Sequence, residues 1–144
     1  RILTFISTLI TLGFILMSPM GANAQRTVQE AEIQVDRLLR DARSYYDNLE
    51  MEPMDDALER IIDIARRFGP ATPRMRGQIS QAHILKGFMI SLNSPNDVQG
   101  IKRFFIRALE MNAQAQLTPE IRTPTLSQIF ERAKGEAAPQ RRGG

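Results

Sequence analysis

Apolar residues in this chain recur at steps of three and four through most of its length, and that spacing permits little besides helices. Ala31, Val35, Leu38, Leu39, Ala42, Tyr45, Tyr46 and Leu49 mark one face of a helix from about residue 27 to 49. Ala57, Leu58, Ile61, Ile62, Ala65 and Phe68 repeat the pattern, and Gly69-Pro70 stops it. A third helix is predicted from Pro73 to about Leu92, on Met75, Ile79, Ala82, Leu85, Phe88, Met89 and Leu92, with Ile84 and Ile90 beside them. That stripe is wide, so this helix is expected to be the most buried. A fourth carries Val98, Ile101, Phe104, Phe105, Ala108 and Leu109, and a short fifth carries Leu126, Ile129, Phe130 and Ala133. No stretch alternates with period two for long enough to argue a strand, so the fold class is all-α.

Punctuation supports these boundaries. Thr72-Pro73, Ser94-Pro95, Thr118-Pro119 and Thr123-Pro124 are each a hydroxyl followed by proline. The hydroxyl accepts a free backbone N–H at the N-cap, and proline next to it has no N–H to waste. Ser94 with Asp97 three residues on is close to a capping box. Residues 135–144 have no apolar period and are expected to form a flexible basic tail.

Residues 1–24 read as a signal peptide. Arg1 is followed by an uncharged run to Gln25, apolar as far as Met17. Pro19 and Gly21 are expected to break the helix, and Ala22-Asn23-Ala24 offers small side chains at a cleavage site after Ala24. A membrane anchor, the alternative, needs about 20 apolar residues, and this run is shorter. The reading implies an exported, most simply periplasmic, protein. Residues 25–134 then make one helical domain, a size that buries a core without staples.

The third and fourth helices read Ala82-x-x-Leu85-x-Gly87, then Ile101-x-x-x-Phe105-x-x-Ala108-Leu109-Glu110-Met111-Asn112. This resembles the tetratricopeptide repeat (TPR), in which a small residue sits where the partner helix crosses and the second helix carries an aromatic, then Ala-Leu and a turn. Gly87 matches the crossing position, and Phe105, Ala108 and Leu109 match the second helix. Ile101 replaces the usual Ala, Ala113 stands where the family has Pro, and the linker holding Pro95 is about two residues longer than the consensus. The first two helices give a weaker copy, with Tyr45 and Tyr46 on the first and Ala57-Leu58, Ile61 and Ala65 on the second, so that the resemblance covers about residues 30 to 113. The stretch from Leu117 through Ile129-Phe130-Glu131-Arg132-Ala133 is similar to the end of exported bacterial TPR-like proteins, where a proline-started helix caps the last pair. The resemblance implies stacked helical hairpins, about two pairs, with a C-terminal capping helix. The plainer alternative is a generic helical bundle.

Reactive chemistry is scarce. The chain has no cysteine, which removes disulfides, thiolate metal sites and thiol catalysis. His83 stands alone and reads as a packed histidine rather than a catalytic or metal-binding one. No HExxH, phosphate-binding glycine loop or Gly-x-Ser-x-Gly elbow occurs. No catalytic residue, metal or cofactor is therefore assigned, and a net charge of +3 is too weak to argue for nucleic acid.

Charge is instead segregated. Seven acids and one Arg lie between Asp47 and Asp63, whereas Ile64 to Asn96 holds no acid but Arg66, Arg67, Arg74, Arg76 and Lys86. Asp55, Asp56 and Glu59 read as first-turn acids of the second helix, facing its positive end. Arg74 and Arg76 open the next helix at its positive end, which a helix dipole does not explain.

The function these features imply is a non-catalytic protein-binding scaffold or adaptor in the bacterial cell envelope. By the geometry of the family it resembles, a concave surface would hold a peptide or partner helix from another envelope protein. That nominates Gln81, Ile84 and Phe88 in the better repeat and Arg37, Arg40 and Tyr45 in the weaker one. Ile84 and Phe88 have a plainer reading as core. The alternative function is binding of an anionic wall or lipid group, a peripheral contact, through Arg66, Arg67, Arg74 and Arg76. The plainer reading of those four is a solvated corner.

Overall fold

The computed structural model describes the backbone from Ile2 to Arg142 and the side chains of residues 24–138. The side chains of residues 1–23, on which most of the signal-peptide expectation falls, and those of residues 139–144 lie outside the described residues. Five α-helices follow one another: α1 (Ile2–Asp47), α2 (Met51–Phe68), α3 (Pro73–Asn93), α4 (Val98–Met111) and α5 (Pro124–Arg142). A single 3-10 turn, Pro119–Ile121, lies between α4 and α5. The fold is all-helical. Each helix packs on the next, and α1 also touches α3. Among the residues whose side chains are described, no helix is long and apolar enough to cross a membrane.

Three boundaries differ from the sequence reading. Helix α1 runs through Pro19 and Gly21 without a break. One proline deletes one i→i−4 bond, and the bonds on either side carry the helix on. Helix α2 starts at Met51 rather than near Ala57, because Pro53 falls in its first turn, where a missing N–H costs nothing. Helix α5 passes Gly135 and buries Ala137, so the tail does not begin at residue 135.

The hydroxyl–proline pairs divide. Thr72 caps α3, accepting from the Met75 N–H at 3.1 Å, and Thr123 accepts from the Leu126 N–H at 3.2 Å. Ser94, in contrast, closes α3, its N–H bonding to the Ile90 carbonyl. Asp97 takes the N-cap of α4, accepting from Gly100 at 3.0 Å. The turn after α1 is a six-residue Schellman closure, with Glu50 N–H on the Tyr45 carbonyl and Leu49 N–H on the Tyr46 carbonyl. Leu49 sits there at φ 62°, a position glycine usually fills, and is 77% exposed.

Helix α3 is buried on two sides, as its wide stripe predicts. Met75, Ile79, Ala82, Leu85 and Met89 enter a first core with Ala31, Val35, Leu38, Leu39 and Ala42 of α1 and Met54, Leu58 and Ile61 of α2. Ile84 and Phe88 enter a second core with Ile101, Phe105 and Leu109 of α4 and Leu126, Ile129, Phe130 and Ala133 of α5. Tyr46 packs against both cores, its ring edge-on to Phe88 at 5.6 Å.

Gly87 sets how closely α3 and α4 approach. A Cβ there would lie 2.7 Å from Phe105 Cε1 and 3.3 Å from the Ile101 carbonyl oxygen. Phe105 cannot retreat: it is fully buried and edge-on to Phe130 at 5.4 Å. Two turns earlier, the buried Ser80 hydroxyl donates to the Ala108 carbonyl at 2.8 Å, pinning the same crossing. Gly77 on the same helix has open space around its missing Cβ. The two glycines therefore answer alanine in opposite directions. Alanine gains about 1 kcal/mol of helix propensity at either site, and overpacking at Gly87 costs about 1–3 kcal/mol. Chemical denaturation should show Gly77→Ala stabilised by about 1 kcal/mol and Gly87→Ala destabilised by about 1 kcal/mol. A stabilised Gly87→Ala would refute the crossing described here.

Candidate functional site: a cleft between α1, α3 and the 115–121 segment

After α4 the chain turns at Asn112, whose side chain accepts from the Gln114 N–H at 3.0 Å. It then runs across α3 in extended form. Alternate residues point in opposite directions in such a segment. Ala115 and Leu117 are buried in the second core, which leaves Gln116 and Thr118 on the other side, and the 3-10 turn Pro119–Ile121 then buries Ile121 and exposes Glu120. Arg122 fixes the segment by donating to the Leu117 carbonyl at 2.8 Å.

Between this segment and α1 lies a cleft of about 350 Å³. Arg43, Tyr46 and Asp47 of α1 form one wall, and Gln116, Thr118 and Glu120 the other. Gln81, Ile84 and Leu85 of α3, with Ile121, complete it and supply its apolar part. The α1 residues are three and four apart, as are those of α3, so each set shares a helix face. Arg43, Tyr46, Asp47, Gln81 and Gln116 make no hydrogen bond or ion pair through their side chains among the described residues. Glu120 is held below the usual carboxylate range by a backbone hydrogen bond and the Thr118 hydroxyl, with a smaller contribution from the Arg43 charge.

The structure sorts the sequence-nominated residues. Gln81 and Ile84 line the cleft. Phe88 does not; it is buried against Tyr46, in line with its plainer reading as core. Tyr45 is off the cleft as well. It lines a shallow hollow between α1 and α2 with Leu38, Asp41, Pro53, Asp56, Ala57 and Arg60, and its neighbour Tyr46 takes the cleft position. One residue along a helix turns a side chain by about 100°, and the sequence pattern could not choose between adjacent tyrosines. Arg40 is exposed and paired with Asp36 at 2.8 Å, and Arg37 is exposed outside the cleft.

Two of the four arginines of the basic corner, Arg66 and Arg74, are paired with acids of their own chain. Arg74 reaches Asp36 at 3.3 Å and Glu32 at 3.9 Å, both on α1. Thr72 donates to Glu32 at 2.5 Å and Gln78 to Asp36 at 2.9 Å. The first turns of α3, the positive end of a helix, thus rest on two carboxylates, which accounts for an arginine where the dipole of α3 alone would disfavour it. Arg66 pairs with Asp63 at 2.9 Å. Arg67 lines a second shallow hollow with Gln34, Arg60, Asp63 and Ile64, and Arg76 is exposed.

Asp55 and Glu59 are not first-turn acids. Both meet Lys86 of α3 at 2.6 Å, and the Lys86 side chain is only 12% exposed. Burial alone would push the Lys86 ammonium down. Hydrogen bonds to the two carboxylates and their charges outweigh burial and hold it above the usual lysine range. The i,i+4 spacing of the two acids was a signal for this clamp.

His83 is buried, 5% exposed, with Nδ1 unpartnered and its ring tilted against Phe104 at 6.0 Å. Burial pushes its pKa down to about 4, helped by Arg107 and Arg66 and opposed by Glu59. The imidazole is therefore neutral near pH 7. Among the described residues, no three His, Asp or Glu side chains cluster to hold a metal ion. No family model matches the chain, and neither a curated protein nor a solved structure does.

The His83 burial carries a pH dependence. The unfolded chain binds a proton at this site below pH 6.5, whereas the folded chain resists it down to about 4. Stability is complete above the upper value and falls as pH drops through the window. The site's share of that loss is about 3 kcal/mol. Comparing denaturation of the native chain with His83→Leu at pH 7 and pH 4 isolates it: the native chain should lose about 3 kcal/mol more than the variant. Equal losses would mean that His83 is not held neutral.

Proposed function

We propose that this protein is a non-catalytic binding scaffold of the bacterial cell envelope, and that the cleft between α1, α3 and the 115–121 segment holds a peptide portion of its partner. The observation that carries the reading is the state of the cleft's polar groups. Elsewhere the described structure engages much of its charge, with Lys86, Arg74, Lys102 and Arg66 all in ion pairs. Around the cleft, Arg43, Tyr46, Asp47, Gln81 and Gln116 border a partly apolar hollow and make no hydrogen bond or ion pair through their side chains among the described residues. Binding sites have that composition: apolar surface for affinity, and a few convergent polar groups for orientation.

A TPR-like arrangement is part of the proposal. It is supported by α1 lying on both α2 and α3, by the contact of Gly87 with Phe105, and by α5 covering α4. In such stacks the first helix of each pair lines the concave side, and α1 and α3 would be those helices. Export to the periplasm is likewise proposed, on the uncharged run and the Ala22-Asn23-Ala24 site of the sequence. The basic corner is not chosen as the site, because Arg66 and Arg74 already hold carboxylates.

A photo-crosslinking amino acid separates the cleft from the rest of the surface. Placed at the exposed Gln116 in cells expressing the full chain, it should give a discrete adduct with another protein. At Arg37, which is also exposed but lies outside the cleft, it should give none. Adducts of equal yield at both positions, or none at Gln116, would overturn the assignment.

A further inference from the structure

We infer that the cleft selects an extended peptide segment that carries a lysine or arginine beside an aliphatic residue, the cation pairing with Asp47. This rests on the reading of the cleft as a peptide site and adds the chemistry of its occupant.

Size comes first. About 350 Å³ is at the small end of ligand sites, enough for a few side chains. An α-helix is about 10–12 Å across with its side chains, too thick for such a space, so an extended strand of peptide fits better. Its backbone would meet Gln81 from α3 and Gln116 from the facing wall, two side chains that each donate and accept. A small aliphatic side chain would touch only the edges of Ile84, Leu85 and Ile121, whose bulk is buried in the two cores.

Charge then decides the neighbour of that aliphatic residue. Three ionised groups line the cleft: Arg43, Asp47 and Glu120. Arg43 contributes a minor attraction to Glu120 and stands one helical turn from Asp47, so the three groups leave one net negative charge in the cleft, and Asp47 makes no ion pair among the described residues. Glu50 and Glu52 follow within five residues of it. Asp47 is also the last residue of α1, and that turn contains no basic residue. The carbonyl end of a helix disfavours an acid by about 0.3–1 kcal/mol. The carboxylate is thus kept at a position that costs stability, where the helix end adds to its negative potential. A cation entering the cleft gains from both. An acidic peptide would meet Arg43 only in competition with Glu120, and against Asp47.

The test uses the full chain, immobilised, and three pools of hexapeptides capped at both ends. The pools share degenerate flanking positions and differ in one fixed central residue, Lys, Gln or Glu. The Lys pool should be retained about fivefold better than the Gln pool, the gain of one screened ion pair, and the Glu pool least. Asp47→Asn, at an exposed unpaired site, leaves the fold intact. It should level the Lys and Gln pools without losing either, and Asp47→Lys should move the preference to Glu. A Lys preference that survives Asp47→Asn, or a native chain that retains the Glu pool best, would overturn the inference. Equal retention of all three pools would remove the charge selection and leave the peptide site standing. If no pool is retained better than by Gln116→Trp, whose ring fills the cleft, the peptide reading itself falls.

Discussion

The structure depends on α3 being buried on both sides. A helix at the edge of a domain hides one stripe and wets the other. Here α3 forms a wall of two separate cores, one with α1 and α2 and one with α4 and α5. Two consequences follow. Its partners must come close, which is why glycine stands opposite Phe105. Its buried polar groups mostly find partners or stay uncharged, the Gln78 Oε1 being left without one. Ser80 donates a hydrogen bond to the Ala108 carbonyl, Gln78 reaches Asp36, and Lys86 is clamped by Asp55 and Glu59. His83 finds no partner for Nδ1 and is held neutral. An unpaired imidazolium in that position would cost several times a typical hydrogen bond.

The ion pairs fix register more than they add stability. Exposed pairs contribute little, and Arg74 with Asp36 or Arg66 with Asp63 belong to that group. Their positions are informative all the same. Glu32 and Asp36 receive the start of α3, whereas Asp55 and Glu59 hold Lys86 further along it. Sliding α3 along α1 and α2 by one turn would break both clusters together. Apolar stripes repeat every turn and tolerate such a slip better than charge pairs do, so the charges choose among packings that the cores alone leave nearly equal.

This division explains what was legible in the sequence. Helix existence and core faces follow from spacing, and all five helices were readable from it. The crossing glycine was legible through the resemblance to the TPR pattern, since spacing alone does not tell Gly87 from Gly77, which has open space around it. Boundaries were not, because Pro53 inside a first turn and Gly135 inside α5 look like stops while costing the helix little. Ser94-Pro95 misled in the same way: its chemistry suits a cap, but Asp97 is better placed to supply one. The charge segregation was visible, whereas its meaning was not. The arginines near Gly69 seemed in excess only because Glu32 and Asp36 lie some forty residues away in sequence.

The cleft was half legible, for a related reason. Its α3 residues follow from helical spacing, and Gln81 and Ile84 were found that way. Its second wall is a segment with no helical period, in which Ala115 and Leu117 alternate with Gln116 and Thr118 over too few residues to count as a pattern. Only when the second core pulls Ala115, Leu117 and Ile121 inward does that alternation aim the polar residues at α1. The segment is anchored by the core on one side and leaves its polar groups unspent on the other. Packing thus accounts fully for Ala115, Leu117 and Ile121. The same inward pull turns Gln116 toward Asp47 and Tyr46 across the hollow, where the proposed peptide would meet all three.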